Sequence, residues 1–221
     1  MALSIGTLII QLGAFLFPWT RRTRLVWGAL FVVALVGGEP TEVEHTFPSR
    51  DDCQVCHGTG NVPTLGVRLD QLAREVRYAD GAASQLEVLA EIGLFDRVLP
   101  EVEAMADVHD ERATSEARAR AYLHTNCAHC HRPGGWTPPE LTMDLRWSTP
   151  TAQTQLCGVA PQYGSPFPAA YRVAPGYAEG SLVWQRISER SLWSMPPLAT
   201  SVVDPDAELV REWIDGMTGC P

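Results

Sequence analysis

Two pentapeptides with the pattern Cys-x-x-Cys-His are the segments of this 221-residue chain best suited to chemistry. They are CQVCH at 53–57 and CAHCH at 127–131. Two thiols three positions apart lie within one helical turn, and each can add to a vinyl group on one edge of a flat macrocycle. The histidine that follows can then bind the iron from one side, which is the attachment pattern of c-type haem. The six predicted cofactor-binding residues are Cys53, Cys56, His57, Cys127, Cys130 and His131.

Three other readings of these cysteines explain less. A zinc site built from four cysteines has its two pairs about 15–20 residues apart, whereas Cys56 and Cys127 lie much further apart. A thioredoxin-like redox pair needs a βαβ context that is not evident here. A disulfide framework leaves His57 and His131 without a role. We therefore predict two covalently bound haem c groups, each with an iron.

Each haem iron also needs a ligand on its other face. Met195 precedes Pro196 and Pro197, and a methionine in a stiff turn can present its thioether to the iron of the second haem. For the first haem, His124 and Met143 are the candidates, and an open sixth position is the alternative. Arg132 and Arg146 are candidate partners of the haem propionates.

Two further cysteines, Cys157 and Cys220, lie outside both pentapeptides. In an oxidising compartment we expect a disulfide between them that ties the Pro-rich loop to the C-terminus. Free reactive thiols are the alternative.

The elements that must position these residues are predicted to be helices. Apolar residues at helical spacing favour helices over 67–78 and 82–95, and Ser115 is a candidate N-cap of a helix over 115–126. Helices are also predicted over residues 181–191 and in a segment that begins at Asp204-Pro205. Proline and glycine exclude long regular elements over 132–177. The predicted class is all-α, with two cytochrome c-like haem-binding halves and long Pro/Gly-rich loops.

The N-terminus predicts a separate segment. Two apolar runs, 3–19 and 25–38, flank Arg21, Arg22 and Arg24, and the second run has the length of a signal-peptide core. We expect residues 1–38 to be a signal peptide or a membrane anchor, with residues 3–38 as the possible tether. Residues 39–112 would then form a first haem-binding domain, and residues 113–221 a second, cytochrome c-like haem domain.

Charge restricts the partners. The formal net charge is −9, and all 17 basic residues are arginine, so Schiff-base or P-loop chemistry that depends on lysine is excluded. An exported domain this acidic is not expected to bind nucleic acid. It would dock redox proteins through a basic surface on the partner.

Several of these motifs together resemble a bacterial family of exported dihaem c-type cytochromes. The resemblance covers residues 47–221, and it consists of FPSR at 47–50, YLHTNCAHCHRPGG at 122–135, MDLR at 143–146, CG at 157–158, PG at 175–176, MPPL at 195–198 and CP at 220–221. It implies two haems, electron carriage and axial roles for His57, His131 and Met195, and it gives weight to His124. Longer members of the family have a β-rich domain before the first haem, where this chain has only the two apolar runs.

The sequence therefore predicts a periplasmic dihaem cytochrome c that carries single electrons between redox partners, and no catalytic residues are assigned. One alternative is a dihaem peroxidase or oxidase with one open iron site. The other is an electron-transfer subunit of a dehydrogenase complex, anchored to the inner membrane.

Overall fold

The structure, a computed structural model, describes residues 30–36, 39–45, 49–57, 68–138, 140–162, 166–197 and 202–221. Its strands are β1 (Leu30–Val36), β2 (Glu39–His45), β3 (Glu75–Tyr78) and β4 (Gly81–Ser84). Its α-helices are α1 (Arg50–His57), α2 (Leu69–Leu72), α3 (Gln85–Glu91), α4 (Ser115–Cys127), α5 (Leu182–Ile187) and α6 (Glu208–Gly216). Short 3-10 helices occur at Thr151–Gln153, Ala178–Gly180 and Pro205–Ala207.

The predicted all-α class is wrong, because the described residues contain two antiparallel β-hairpins. In the first, β1 pairs with β2 from Leu30↔His45 to Val36↔Glu39. In the second, β3 pairs with β4 from Glu75↔Ser84 to Tyr78↔Gly81. The fold therefore combines helices, hairpins and long loops instead of two all-helical halves.

The expected apolar anchor is also wrong for the part of it that the structure describes. Residues 30–36, which belong to the second apolar run, form β1, and its sequence LFVVALV contains the β-branched valines that favour a strand. Among the described residues, none of the helices has the length and apolar character needed to cross a membrane. Residues 1–29 and 37–38 lie outside the described residues.

Residues 67–95 are organised differently from the two helices predicted there. Instead of one helix over 67–78, the structure has the single turn of α2 followed by β3. The chain reverses through Ala79 and Asp80, and Gly81 accepts a φ of +135°, which other residues rarely adopt. Within the second predicted helix, over 82–95, the structure has only α3, whose N-terminus is capped by the Ser84 side chain. The hairpin turn thus overrides the helical spacing of the apolar residues.

The core lies between α4 and α6. Thr114, rather than the predicted Ser115, caps α4 by accepting the Ala117 N–H at 3.1 Å. Asp204 begins the last helical segment as predicted, with Pro205 at its first position. The largest core side chains on these two helices are Tyr122, Leu123, Val210, Trp213 and Ile214.

The loop region 140–177 is held on this core by backbone hydrogen bonds and a disulfide. The predicted bridge between Cys157 and Cys220 is confirmed. Gly158 donates to the Val173 carbonyl at 3.0 Å, and Gly176 donates to the Ile214 carbonyl at 2.9 Å. These contacts tie the Pro-rich loop to α6 and to the C-terminus.

Candidate functional site

The second Cys-x-x-Cys-His motif begins at the C-terminus of α4. Cys127 is the last residue of the helix, and the next turn is closed by N–H groups of Cys130 and His131, which donate to the Cys127 carbonyl at 3.1 and 2.9 Å. The backbone then folds back tightly at Gly135. A Cβ built on Gly135 would overlap the Cys130 carbonyl oxygen, so this position requires glycine. The C-terminus of α4 and the turn at Gly135 together position the backbone of Cys127, Cys130 and His131.

A partly open cavity of about 120 Å³ lies beside this motif. Cys127, His131 and Met195 all line it. The remaining walls are mainly apolar and come from Leu123, Leu141, Met143, Leu145, Leu182, Val183 and Ile187.

His131 lines this cavity with a neutral imidazole ring. Its Nδ1 is buried and has no hydrogen-bond partner, and burial, together with nearby His129 and arginine charges, lowers the pKa of its ring to about 4. The imidazole is therefore neutral at pH 7, with a nitrogen lone pair available for a metal. Its carbonyl accepts the Leu145 N–H at 2.9 Å, which fixes the backbone on this side of the cavity.

Cys127 lies in an equally apolar environment. Burial raises the pKa of its thiol to about 12, and the nearby Cys130 adds to this effect. The thiol therefore stays protonated at neutral pH.

Met195 reaches the same cavity on a turn that is tied to α5. Its N–H donates to the Arg186 carbonyl at 2.8 Å. Its own carbonyl accepts from Arg190 Nη1 at 3.2 Å, while Arg190 Nη2 donates to the Ile187 carbonyl at 2.7 Å. The peptide bond from Met195 to Pro196 is cis. The predicted methionine turn is thus anchored by backbone and guanidinium contacts.

Two arginines that sequence reasoning missed, Arg172 and Arg186, also line the cavity. The two predicted propionate partners, Arg132 and Arg146, are not among the residues that line this cavity. Arg146 forms a salt bridge with Asp144, and Arg132 is exposed, with its Nε donating to the His129 carbonyl at 3.3 Å. No short motif marks Arg172 or Arg186, because the loop that carries Arg172 and the helix that carries Arg186 come together only in the fold.

The two candidate ligands of the first haem, Met143 and His124, are both buried. Met143 is buried and lines the cavity of the second motif. His124 is buried, and its Nδ1 accepts the Trp147 N–H at 2.9 Å, which leaves the proton of the neutral ring on Nε2. That Nε2 lies 3.9 Å from Asp70 Oδ2. In this arrangement His124 connects α2 to α4 and offers no free lone pair.

The first motif lies on α1. Ser49 and Asp52 cap the helix, since the Asp52 N–H donates to Ser49 Oγ at 3.1 Å and Asp52 Oδ2 accepts the Ser49 N–H at 2.9 Å. These Ser49 hydrogen bonds lower the pKa of Asp52. The Cys53 side chain is exposed. The side chains of Cys56 and His57 lie outside the described residues, so their predicted roles stay predictions.

The residues around the cavity of the second motif fit a haem. The described residues contain no group of three or more His, Cys, Asp or Glu side chains arranged to hold a bare metal ion. A haem iron takes four ligands from its macrocycle and needs only two from the protein. Histidine and methionine on the walls of one apolar cavity, with a thiol beside them, meet that requirement.

Comparison of the chain with protein-family models, with curated proteins and with solved structures found no match.

Proposed function

We propose that the protein is a periplasmic c-type cytochrome that binds two covalent haems and carries single electrons between redox proteins. The observation that carries the proposal is that Cys127, His131 and Met195 line one largely apolar cavity. Such a cavity suits a flat hydrophobic macrocycle, and a histidine with a methionine is a ligand pair typical of electron-transfer haems.

When bound, the haem supplies an iron that cycles between the ferric and ferrous states. The thiols of Cys127 and Cys130 would hold the haem covalently through its vinyl groups, and His131 and Met195 would supply a nitrogen and a sulfur ligand to its iron. The apolar side chains would keep water out of the cavity.

Three further features support the proposal. The motif at 53–57 repeats the attachment pattern for a first haem. The Cys157–Cys220 disulfide suits an oxidising compartment such as the periplasm. The net charge of −9 favours encounter with a partner that has a basic surface, and this encounter would weaken with added salt.

Intact mass under denaturing conditions tests the proposal, with the protein produced in a host that matures c-type cytochromes. We expect two haem masses on the wild type. The double variant Cys127→Ser/Cys130→Ser should keep one, and Cys53→Ser/Cys56→Ser should keep the other. A wild-type chain with no haem mass would refute the proposal.

The two methionines on the cavity wall provide a matched test of ligation. Met143 belongs to the segment that is hydrogen-bonded to His131, whereas Met195 approaches on the turn tied to α5. We therefore expect Met195→Ala to change the visible spectrum and lower the reduction potential, and Met143→Ala to leave the spectrum of the second haem unchanged. The reverse result would assign the thioether ligand to Met143.

A further inference from the structure

Arg172 and Arg186 bring two positive charges to a cavity whose other walls are mostly apolar. Arg172 is only 3% exposed, and its guanidinium is held by Nη1 donating to the Gln155 carbonyl at 2.7 Å and by Nη2 donating to Gln162 Oε1 at 2.9 Å. Arg186 lies on α5, and its Nε is buried with no hydrogen-bond partner. Arg172 is therefore buried as a whole, whereas Arg186 is partly buried with its Nε shielded from solvent.

Neither arginine has an acidic partner among the described residues. The residues that line the cavity include no Asp or Glu, and the salt bridges of the described part of the chain involve other arginines. Burial lowers the pKa of both guanidinium groups, yet arginine stays protonated in proteins. Buried charges are costly unless they are paired. The arrangement thus calls for an anion supplied by the ligand.

Haem is such a ligand, because its apolar macrocycle ends in two propionate carboxylates at one edge. The geometry points to Arg172 and Arg186 as the residues that bind the haem propionates in this cavity and keep the reduction potential of its iron high. This inference rests on the proposed function and deepens it, since it assigns the tuning of the haem to residues outside the attachment motif.

The effect on the potential follows from charge. Reduction of the iron adds one electron from a donor protein and lowers the charge of the haem by one unit, with no bond formed or broken. A fixed positive charge nearby therefore favours the ferrous state. For a charge about 10 Å from the iron, at an effective dielectric constant of about 20, Coulomb's law gives an effect of about tenfold on the equilibrium constant.

The test is a redox titration of the haem-loaded Arg186→Gln variant between pH 5 and 8. We expect the one-electron equilibrium constant to fall about tenfold, which is a decrease of 59 mV. We also expect the potential to become dependent on pH, because an unpaired propionate in an apolar site has a raised pKa. The wild-type potential of this haem should be nearly constant over the same range.

Controls separate local pairing from net charge and from folding. Arg211→Gln on α6 removes the same charge from a surface pair with Glu208 and should leave the potential unchanged. Arg172→Gln should resemble Arg186→Gln, and Arg172→Lys should restore most of the potential. If Arg172→Gln yields no holoprotein, the reduction potentials of Arg186→Gln and Arg172→Lys test the inference instead.

The outcomes distinguish failure of the proposed function from failure of the propionate assignment. A chain that acquires no haem refutes the proposed function itself. A haem-loaded Arg186→Gln variant whose potential and pH profile match those of the wild type refutes the inference alone. A shift in Arg132→Gln without one in Arg186→Gln would transfer the propionate role to the exposed arginine beside the motif.

Discussion

Removal of the disulfide should cost this protein a large part of its stability. Cys157 and Cys220 are 63 residues apart in sequence, and the loop that they close contains α5, α6 and the Met195 turn. The chain-entropy model gives about 4 kcal/mol for a loop of this length. We expect Cys157→Ser/Cys220→Ser to lose about that amount, or less if a bond from Met195 to iron persists in the unfolded chain.

The assay is urea unfolding of the holoprotein, followed by far-ultraviolet circular dichroism. With a urea m-value of about 2 kcal/mol/M, the midpoint should fall by about 2 M. A thiol reductant should shift the wild type by the same amount and leave the double variant unchanged, which separates the bridge from the serine substitutions. A loss of less than about 1 kcal/mol would show that the bridge does not stabilise the fold by restricting the unfolded chain.

Two further predictions concern single residues near the cavity. Arg146 and other donors hold the pKa of Asp144 at about 2, so Asp144→Asn should lower the free energy of unfolding by about 2 kcal/mol at pH 7. Because the folded pKa is depressed, the wild-type advantage should be complete above about pH 4 and disappear as the pH falls through 2. An advantage that persists at pH 2 in denaturant titrations would contradict this. Gly135→Ala should displace the Cys130 carbonyl and reduce attachment of the second haem, as measured by intact mass. The neighbouring Gly134 has a φ of +70° but open space where a Cβ would lie. Gly134→Ala should therefore lower the free energy of unfolding by about 1–2 kcal/mol and keep both haems. Equal haem content in the two variants would contradict the predicted steric effect at Gly135.

The sequence was most informative where one local pattern determines the outcome. The approximate extent of α4, the Asp204-Pro205 start of the last helical segment and the Cys157–Cys220 bridge were predictable, because a run of helix-forming residues, an Asp-Pro pair and two remaining cysteines are strong local signals. The N-cap of α4 was misplaced by one residue. The all-α class failed because apolar spacing over 67–95 is compatible with both helix and strand, and a two-residue turn decided between them.

The site was only partly predictable, because the residues that form it are far apart in the sequence and meet only in the fold. Met195 could be proposed from its turn, but its placement on the cavity wall depends on the hydrogen bond to the Arg186 carbonyl. The role of His124 depends on Trp147 and Asp70, which no local pattern connects to it. Arg172 and Arg186 become notable only once burial and the lack of acidic neighbours are known.

The chain order of the cavity walls has a consequence for biogenesis. Cys127 and His131 are synthesised before Arg172, α5 and Met195, which line the same cavity. In the folded protein these later segments leave the Cys127 side chain only partly exposed. If the chain binds haem as proposed, attachment at Cys127 would be easiest before the C-terminal third folds, and that third would then assemble around the haem.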